Sequence, residues 1–169
     1  MQLLLIRHAI AEDSDTFAGD DTARPLTAAG RKKMIKAAAR LPVQIKSIDK
    51  IVTSPLHRAR ATADIIADSY GLTDVIERDD LAPYSPMESL LTWLGQQPSN
   101  LRVALVGHNP HLSFLLGTLL TGAPRRLADL KKGSVTSIRF TAGVEAGAGS
   151  LHWMMTCKQL ATLKKKSGN

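Results

Sequence analysis

The chain of 169 residues contains a single cysteine, Cys157. One thiol excludes an intramolecular disulfide framework and any cysteine-rich metal centre, and it fits a reducing compartment. Aromatic residues make up only 4%, too few to interleave with cations as a stacking platform for single strands. No apolar stretch approaches the roughly 20 residues of a membrane helix. The N-terminal apolar run, Leu3 to Ile6, is too short for the core of a signal peptide. A cytoplasmic protein without membrane association is expected. Acid is also in deficit, with 15 Asp and Glu against 22 Lys and Arg, for a net charge of +7. Much of that excess is local: Arg31, Lys32, Lys33, Lys36 and Arg40 share one helix pattern, and Lys164, Lys165 and Lys166 follow one another near the end. Such runs are more often solvated faces than binding sites, so no nucleic-acid partner is expected. An RNA-binding module built on the 31–40 helix is the rival reading, and it requires binding that falls steeply with salt.

What is present suits one globular domain: 44% apolar and 22% charged residues. We expect that domain over residues 1–163 and a basic, disordered tail over 164–169. Leu3-Leu4-Leu5-Ile6 reads as a short strand buried on both faces. A polar loop spans Glu12 to Arg24, and Thr27 is placed to cap a helix carrying Met34, Ala37, Ala38 and Leu41 on one face. Ile48 to Thr53 is a second strand. A helix from Pro55, in its first turn, runs to Tyr70 and stops at Gly71. Val75-Ile76 is a brief strand, Asp79 to Pro86 a loop, and Pro86 to Leu94 a short helix. Val103 to Val106 is a fourth strand before a helix over 111–120. Ser134 to Thr141 and Leu151 to Met155 form a terminal hairpin around a glycine-rich turn. That turn precedes no helix and has no following Lys-Ser/Thr, so it is not a phosphate loop. The alternation predicts an α/β fold, a mainly parallel mixed sheet with helices on both faces in three layers.

Three strand ends look alike. The first ends in Arg7-His8, the second in Thr53-Ser54-Pro55 with Arg58 close behind, and the fourth in Gly107-His108. Ligands of open α/β sheets bind beyond the carboxyl ends of the strands. Arg7-His8 alone could be a mere polar strand end. Two arginines and two histidines on one rim, however, describe a site for a tetrahedral dianion, because guanidinium forks match phosphate oxygens in pairs. The helices that follow Pro55 and Pro110 could add orphan N–H groups.

Strand-end Arg-His, then Ser54-Pro55-Leu56-His57-Arg58-Ala59-Arg60-Ala61-Thr62-Ala63, then Gly107-His108 resembles the ordered pattern of the histidine phosphatase superfamily over about residues 2 to 120. Within it, Arg7-His8-Ala9, Arg24-Pro25-Leu26-Thr27-Ala28-Ala29-Gly30 and Gly107-His108-Asn109-Pro110 are similar to the SixA-type phosphohistidine phosphatases. The resemblance implies a phosphoglycerate mutase-like fold. It also implies His8 as a nucleophile that becomes phosphohistidine, with Arg7, Arg58 and His108 holding the phosphoryl oxygens. His8 must then be neutral and His108 works better as a cation, so their pKa values should be pushed apart. No metal or other cofactor is expected, since arginines supply the positive charge.

Two departures from the family pattern bear on the substrate. The second histidine is followed by Asn109, where the large acid phosphatases have Asp, and the region Asp79 to Pro83 offers only aspartates where mutase-like members use a glutamate. An alkoxide leaving group needs a proton badly; imidazole is a far better leaving group. Weak acid chemistry, and no large insertion between the second and third strands to form a lid, favour phosphohistidine on a protein, such as a phosphorelay component. The protein itself is expected to be a monomer or weak dimer. The alternatives are a phosphatase for small phosphate monoesters and a non-catalytic phosphate-binding module. Among lesser candidates, Arg24 either reaches the site or caps the helix, and Ser54 caps a helix or donates to phosphate. His111 could rim the pocket, whereas His57 is expected at the surface and His152 in a structural role.

Overall fold

The structure is a computed structural model that describes residues 1–164. Among the described residues six strands form one sheet: β1 (Gln2–Arg7), β2 (Lys50–Thr53), β3 (Val75–Glu77), β4 (Arg102–Gly107), β5 (Val135–Arg139) and β6 (Ser150–Met155), in the order β3-β2-β4-β1-β5-β6. β1 to β4 run parallel, and β5 and β6 are antiparallel additions at one edge. Five helices accompany them: α1 (Ala28–Ala38), α2 (His57–Tyr70), α3 (Glu88–Gly95), α4 (His111–Thr121) and α5 (Cys157–Ala161). No helix is long and apolar enough to cross a membrane among the described residues. Of the expected tail, Lys164 is exposed and 165–169 lie outside the described residues.

The three layers follow from the period-2 geometry of the central strands. Leu4 and Ile6 of β1 point to one face, where they join Met34 and Ala37 of α1, Ala63 and Ile66 of α2 and Leu160 of α5. Leu3 and Leu5 point to the other, against Leu90 and Leu94 of α3 and Leu112, Leu115 and Leu119 of α4. All of these side chains are buried. The near-continuous apolar runs of β1 and β4 are therefore the signature of strands covered on both sides.

Local signals place most boundaries. Thr27 caps α1 through its hydroxyl, which accepts the Gly30 N–H at 2.9 Å. Gly71, with φ of 65°, ends α2 in the left-handed region. The expectation for Pro55 needs correcting. Leu56 is still extended, with ψ of 132°, so α2 begins at His57 and Pro55 stands ahead of the first turn. Proline sets its own φ but does not force the next residue into a helix. α3 likewise begins at Glu88 rather than Pro86. α5 was not expected. At five residues it is too short for periodicity to reveal, although Thr156 and Gln159 form a reciprocal capping box at its start.

Gly30 sets how closely α1 approaches the segment that follows β1. A Cβ at Gly30 would fall 2.1 Å from the Ile10 carbonyl oxygen, and the Thr27 N–H donates to that same oxygen at 3.0 Å. The Thr27-to-Gly30 motif thus docks the start of a helix two residues beyond His8. Gly30→Ala is expected to lower the unfolding free energy by about 1–3 kcal/mol through overpacking against backbone, read as a lower denaturant midpoint at unchanged m-value.

Candidate active site

Ladder register brings the three strand ends to one level. Arg7 lies opposite Gly107, and Thr53 opposite Val106. Pairing continues one residue further: the His8 N–H donates to the Gly107 carbonyl at 2.9 Å and the Ser54 N–H to that of Val106 at 3.0 Å. His8, Ser54 and His108 therefore leave the sheet side by side. The His8 and His108 rings lie 5.0 Å apart, centre to centre. With Arg7, Arg58, Arg24 and Asp21 they line a cavity of about 650 Å3.

His8 Nδ1 lies 2.7 Å from the Ala9 carbonyl oxygen. A carbonyl only accepts, so Nδ1 carries the proton and Nε2 holds the free lone pair. Burial is the main influence on this ring and holds its pKa down, to about 3. The Ala9 hydrogen bond works the other way, and the positive charges of Arg58, Arg7 and Lys132 add to the depression. At neutral pH His8 is an uncharged base facing a cationic pocket.

Arg7 donates through Nη1 to the Leu130 carbonyl at 2.7 Å. Arg58, whose side chain is 4% exposed, donates through Nη1 to the Asp21 carbonyl at 2.7 Å and through Nη2 to its carboxylate at 2.9 Å. Arg7 Nε, Arg58 Nε and His108 Nδ1 are buried with no hydrogen-bond partner among the described residues. Buried donors are normally paired. Three unpaired ones belong to residues that line a single cavity.

His108 Nε2 lies 2.9 Å from Ser54 Oγ, which also accepts the Leu56 N–H at 3.3 Å. The remaining serine proton is satisfied when it points at Nε2, which puts the imidazole proton on the unpaired Nδ1. Ser54 thus sits behind His108, off the cavity wall, and combines a local turn bond with orientation of the ring. The expectation that His8 and His108 have pKa values pushed apart is corrected. Burial drives His108 down to about 2, with His8 and Arg58 pushing the same way and Asp21 opposing. Both imidazoles are depressed together because both sit in one dry, positively charged pocket.

The lesser candidates separate. Arg24 lines the cavity, pairing through Nε with Asp21 at 2.8 Å and through Nη1 with the Glu12 carbonyl at 2.6 Å. It does not cap α1; Thr27 does. His111 is buried off the cavity wall, both ring nitrogens without a partner among the described residues. Burial lowers its pKa and Asp80 works against that. His57 is exposed, with Nδ1 3.2 Å from the Ala23 carbonyl oxygen, and His152 is exposed on β6. Asp80 is engaged by Arg78 at 3.0 Å and by Ser89 at 2.6 Å, away from the cavity. From the central loop only Pro83 and Tyr84 line it. Among the described residues no group of three or more His, Cys, Asp and Glu is placed to hold a metal ion.

A family model described as "Histidine phosphatase superfamily (branch 1)" matches residues 3–86. A structure of the protein histidine phosphatase SixA complexed with tungstate aligns with 95% of this chain and 99% of its own, with a TM-score of 0.81 and 25% identity. The chain belongs to the histidine phosphatase superfamily. It is similar over nearly its full length to SixA-type members: the phosphohistidine phosphatase SixA of Escherichia coli is 26% identical over 160 residues, 92% of this chain and 94% of that protein. An uncharacterised protein of Picosynechococcus is 33% identical over 141 residues, 82% and 85% of the two chains. The 5''-phosphoribostamycin phosphatase of Niallia circulans is 32% identical over 122 residues, 69% of this chain and 57% of that one. Membership makes this chain a hydrolase of the phosphatase type.

Several residues of this histidine phosphatase site escaped the sequence reading. Asp21 bridges Arg24 and Arg58 from a short 3-10 turn. Burial works against its charge, but the two guanidiniums outweigh it and hold the carboxyl below its usual range. Lys132 and Asn109 also line the cavity, and Tyr84 stands at its mouth, 84% exposed and with φ of 64°. A non-glycine residue in that left-handed region carries strain of about 1–2 kcal/mol. Only Asp21 left a trace, as an acid in a loop near arginines.

The depressed imidazoles make stability depend on pH. Each folded pKa lies below the unfolded value near 6.5, so the unfolded chain binds protons first as pH falls. Stability is full above about pH 6.5 and lost toward pH 3, at about 1.4 kcal/mol per pH unit for each ring. His8→Asn and His108→Asn are each expected to flatten the fall, measured by guanidinium unfolding between pH 7 and 4.5. An unchanged slope in both would contradict burial of neutral rings.

Proposed function

We propose that this chain is a phosphohistidine phosphatase that removes phosphate from phosphohistidine on another protein, such as a phosphorelay component, through a phosphoryl intermediate on His8. The observation that carries the proposal is the tautomer of His8. Its Nδ1–H is held by the Ala9 carbonyl, so the Nε2 lone pair is free in the cavity where Arg7, Arg58 and His108 converge.

In the first step Nε2 attacks phosphorus in line, and the P–N bond to the substrate ring breaks. That bond's electron pair leaves with the substrate imidazole. A ring protonated at its far nitrogen, as a fraction of imidazoles with a pKa of about 6.5 is near neutral pH, departs as neutral imidazole and needs no acid from the cavity wall. Arg7, Arg58 and the Nδ1–H of His108 oppose the charge that spreads over the phosphoryl oxygens. The Ala9 carbonyl accepts from the positively charged ring of phospho-His8. Water then attacks phosphorus, the P–Nε2 bond breaks, a proton goes to solvent, and neutral His8 returns with inorganic phosphate. The negative charge of the bound phosphoryl group opposes the depression of the His108 pKa and strengthens its Nδ1–H as a donor.

Two observations support a protein-borne P–N substrate. Neither Asp79 nor Asp80 lines the cavity, and the chain between β2 and β3 holds α2 with no large insertion to form a lid. A second reading, a phosphatase for small phosphate monoesters, draws support from Glu12 and Asp13 on the wall and from the likeness to the Niallia phosphatase.

Turnover of a phosphohistidine-bearing protein, set beside sugar phosphates and p-nitrophenyl phosphate, separates the readings; esters turned over orders of magnitude faster would overturn the first. Phosphoryl label from a labile donor is expected on His8 and absent from His8→Ala, which also separates an enzyme from a silent binding module. Arg58→Ala is expected to lower kcat by about 100- to 1,000-fold, the usual loss when a donor to a transition-state oxyanion is removed.

A further inference from the structure

A second cavity of about 530 Å3, within the range of ligand pockets, lies between α1 and α5. Its floor is apolar, including Ala9, Ile10 and Ala161. Its rim carries Lys33, Lys36, Lys131, Lys132 and Lys158, and among the described residues no acidic one lines it. All five lysines are exposed. Among the described residues only Lys131 is ion-paired, to Asp129 at 3.6 Å.

The groove is continuous with the candidate active site, because Ile10 and Lys132 belong to both walls. At its far end Lys36 and Ala161 lead on to a shallower hollow with Arg40. One positively charged trough therefore runs from the mouth of the His8 cavity across α1 and α5. α5 itself is built into the wall by its capping box and by buried Leu160.

We propose that this trough docks an acidic segment of the phosphoprotein substrate, with Asp or Glu side chains on the lysine rim and small apolar side chains on the floor. The proposal rests on the phosphohistidine reading above. Charge complementarity selects an acidic partner, the apolar floor selects a peptide over a purely ionic polymer, and continuity with the cavity selects the segment flanking the phosphorylated histidine. Docking of this kind acts on encounter and on KM, since the lysines of the trough beyond Lys132 do not reach the reacting phosphoryl group.

The probes are two synthetic peptides with one central phosphohistidine, flanked on both sides by alternating Glu and Ala in one and by alternating Gln and Ala in the other. Phosphoramidate serves as the small substrate. The wild-type protein is expected to prefer the Glu peptide by about tenfold in kcat/KM, carried by KM, as several exposed charge pairs of modest individual worth provide. The preference should fade toward about 1 M salt, where the Debye length is about 3 Å. In Lys33→Glu/Lys36→Glu/Lys158→Glu, whose sites are exposed and outside the His8 cavity, the preference should disappear. Rates on phosphoramidate should stay within about twofold, since screened surface charges act weakly on the buried site.

A wild-type protein that hydrolyses both peptides equally overturns the proposal, as does a triple variant that keeps the preference or loses phosphoramidate turnover in step. Loss of binding to phosphatidylglycerol vesicles or to RNA in the variant, with peptide preference intact, makes the trough a polyanion surface and overturns it too. Failure of the wild-type protein on every phosphohistidine substrate, with p-nitrophenyl phosphate turned over, instead removes the underlying functional reading.

Discussion

The parallel ladder between β1 and β4, extended by β2, is the constraint on which the site depends. It pairs Arg7 with Gly107 and Thr53 with Val106, and the next residues of β1 and β2, His8 and Ser54, are each held by one more backbone hydrogen bond. A slip of one residue would turn the whole apolar set of a strand to the wrong face. With Leu3 and Leu5 committed to one layer and Leu4 and Ile6 to the other, that slip is excluded. The position of His8 relative to His108 is therefore set by a core a full strand long, not by the polar groups themselves.

Those polar groups need such support. Two arginines and two imidazoles share one cavity, and several of their nitrogens are buried without a partner. Each such group costs about 1–3 kcal/mol in a folded protein. Asp21 offsets part of the repulsion by pairing with Arg58 and Arg24 together. Its side chain is 56% exposed, so this counter-charge sits at the mouth, where solvent and ligand compete for the same guanidinium. The depressed imidazoles are the other expression of the same crowding: the pocket rejects further positive charge and accepts negative charge.

Much of this was legible along the chain. Buried strands betray themselves by unbroken apolar runs, and the polar residue that ends such a run marks the rim where chemistry occurs. Thr27 and Gly71 marked helix ends for reasons that operate within one turn. Pro55 misled because its constraint acts on its own φ, and Leu56 remained extended. α5 was hidden by its length, although its capping box was written in Thr156 and Gln159. The joint depression of the two histidines was not legible, because it comes from burial and from neighbours far along the polymer.

The amino-acid sequence by itself determined the layers, the strands and the identity of the side chains at their carboxyl ends, since hydrophobic periodicity and capping act between residues a few positions apart. Tertiary structure decided the rest. Asp21 meets Arg58 across 37 positions, the Leu130 carbonyl meets Arg7 across 123, and the lysine trough draws on α1, α5 and the segment before β5. These meetings are made by loops without periodicity, whose path is settled by what the packed core leaves free.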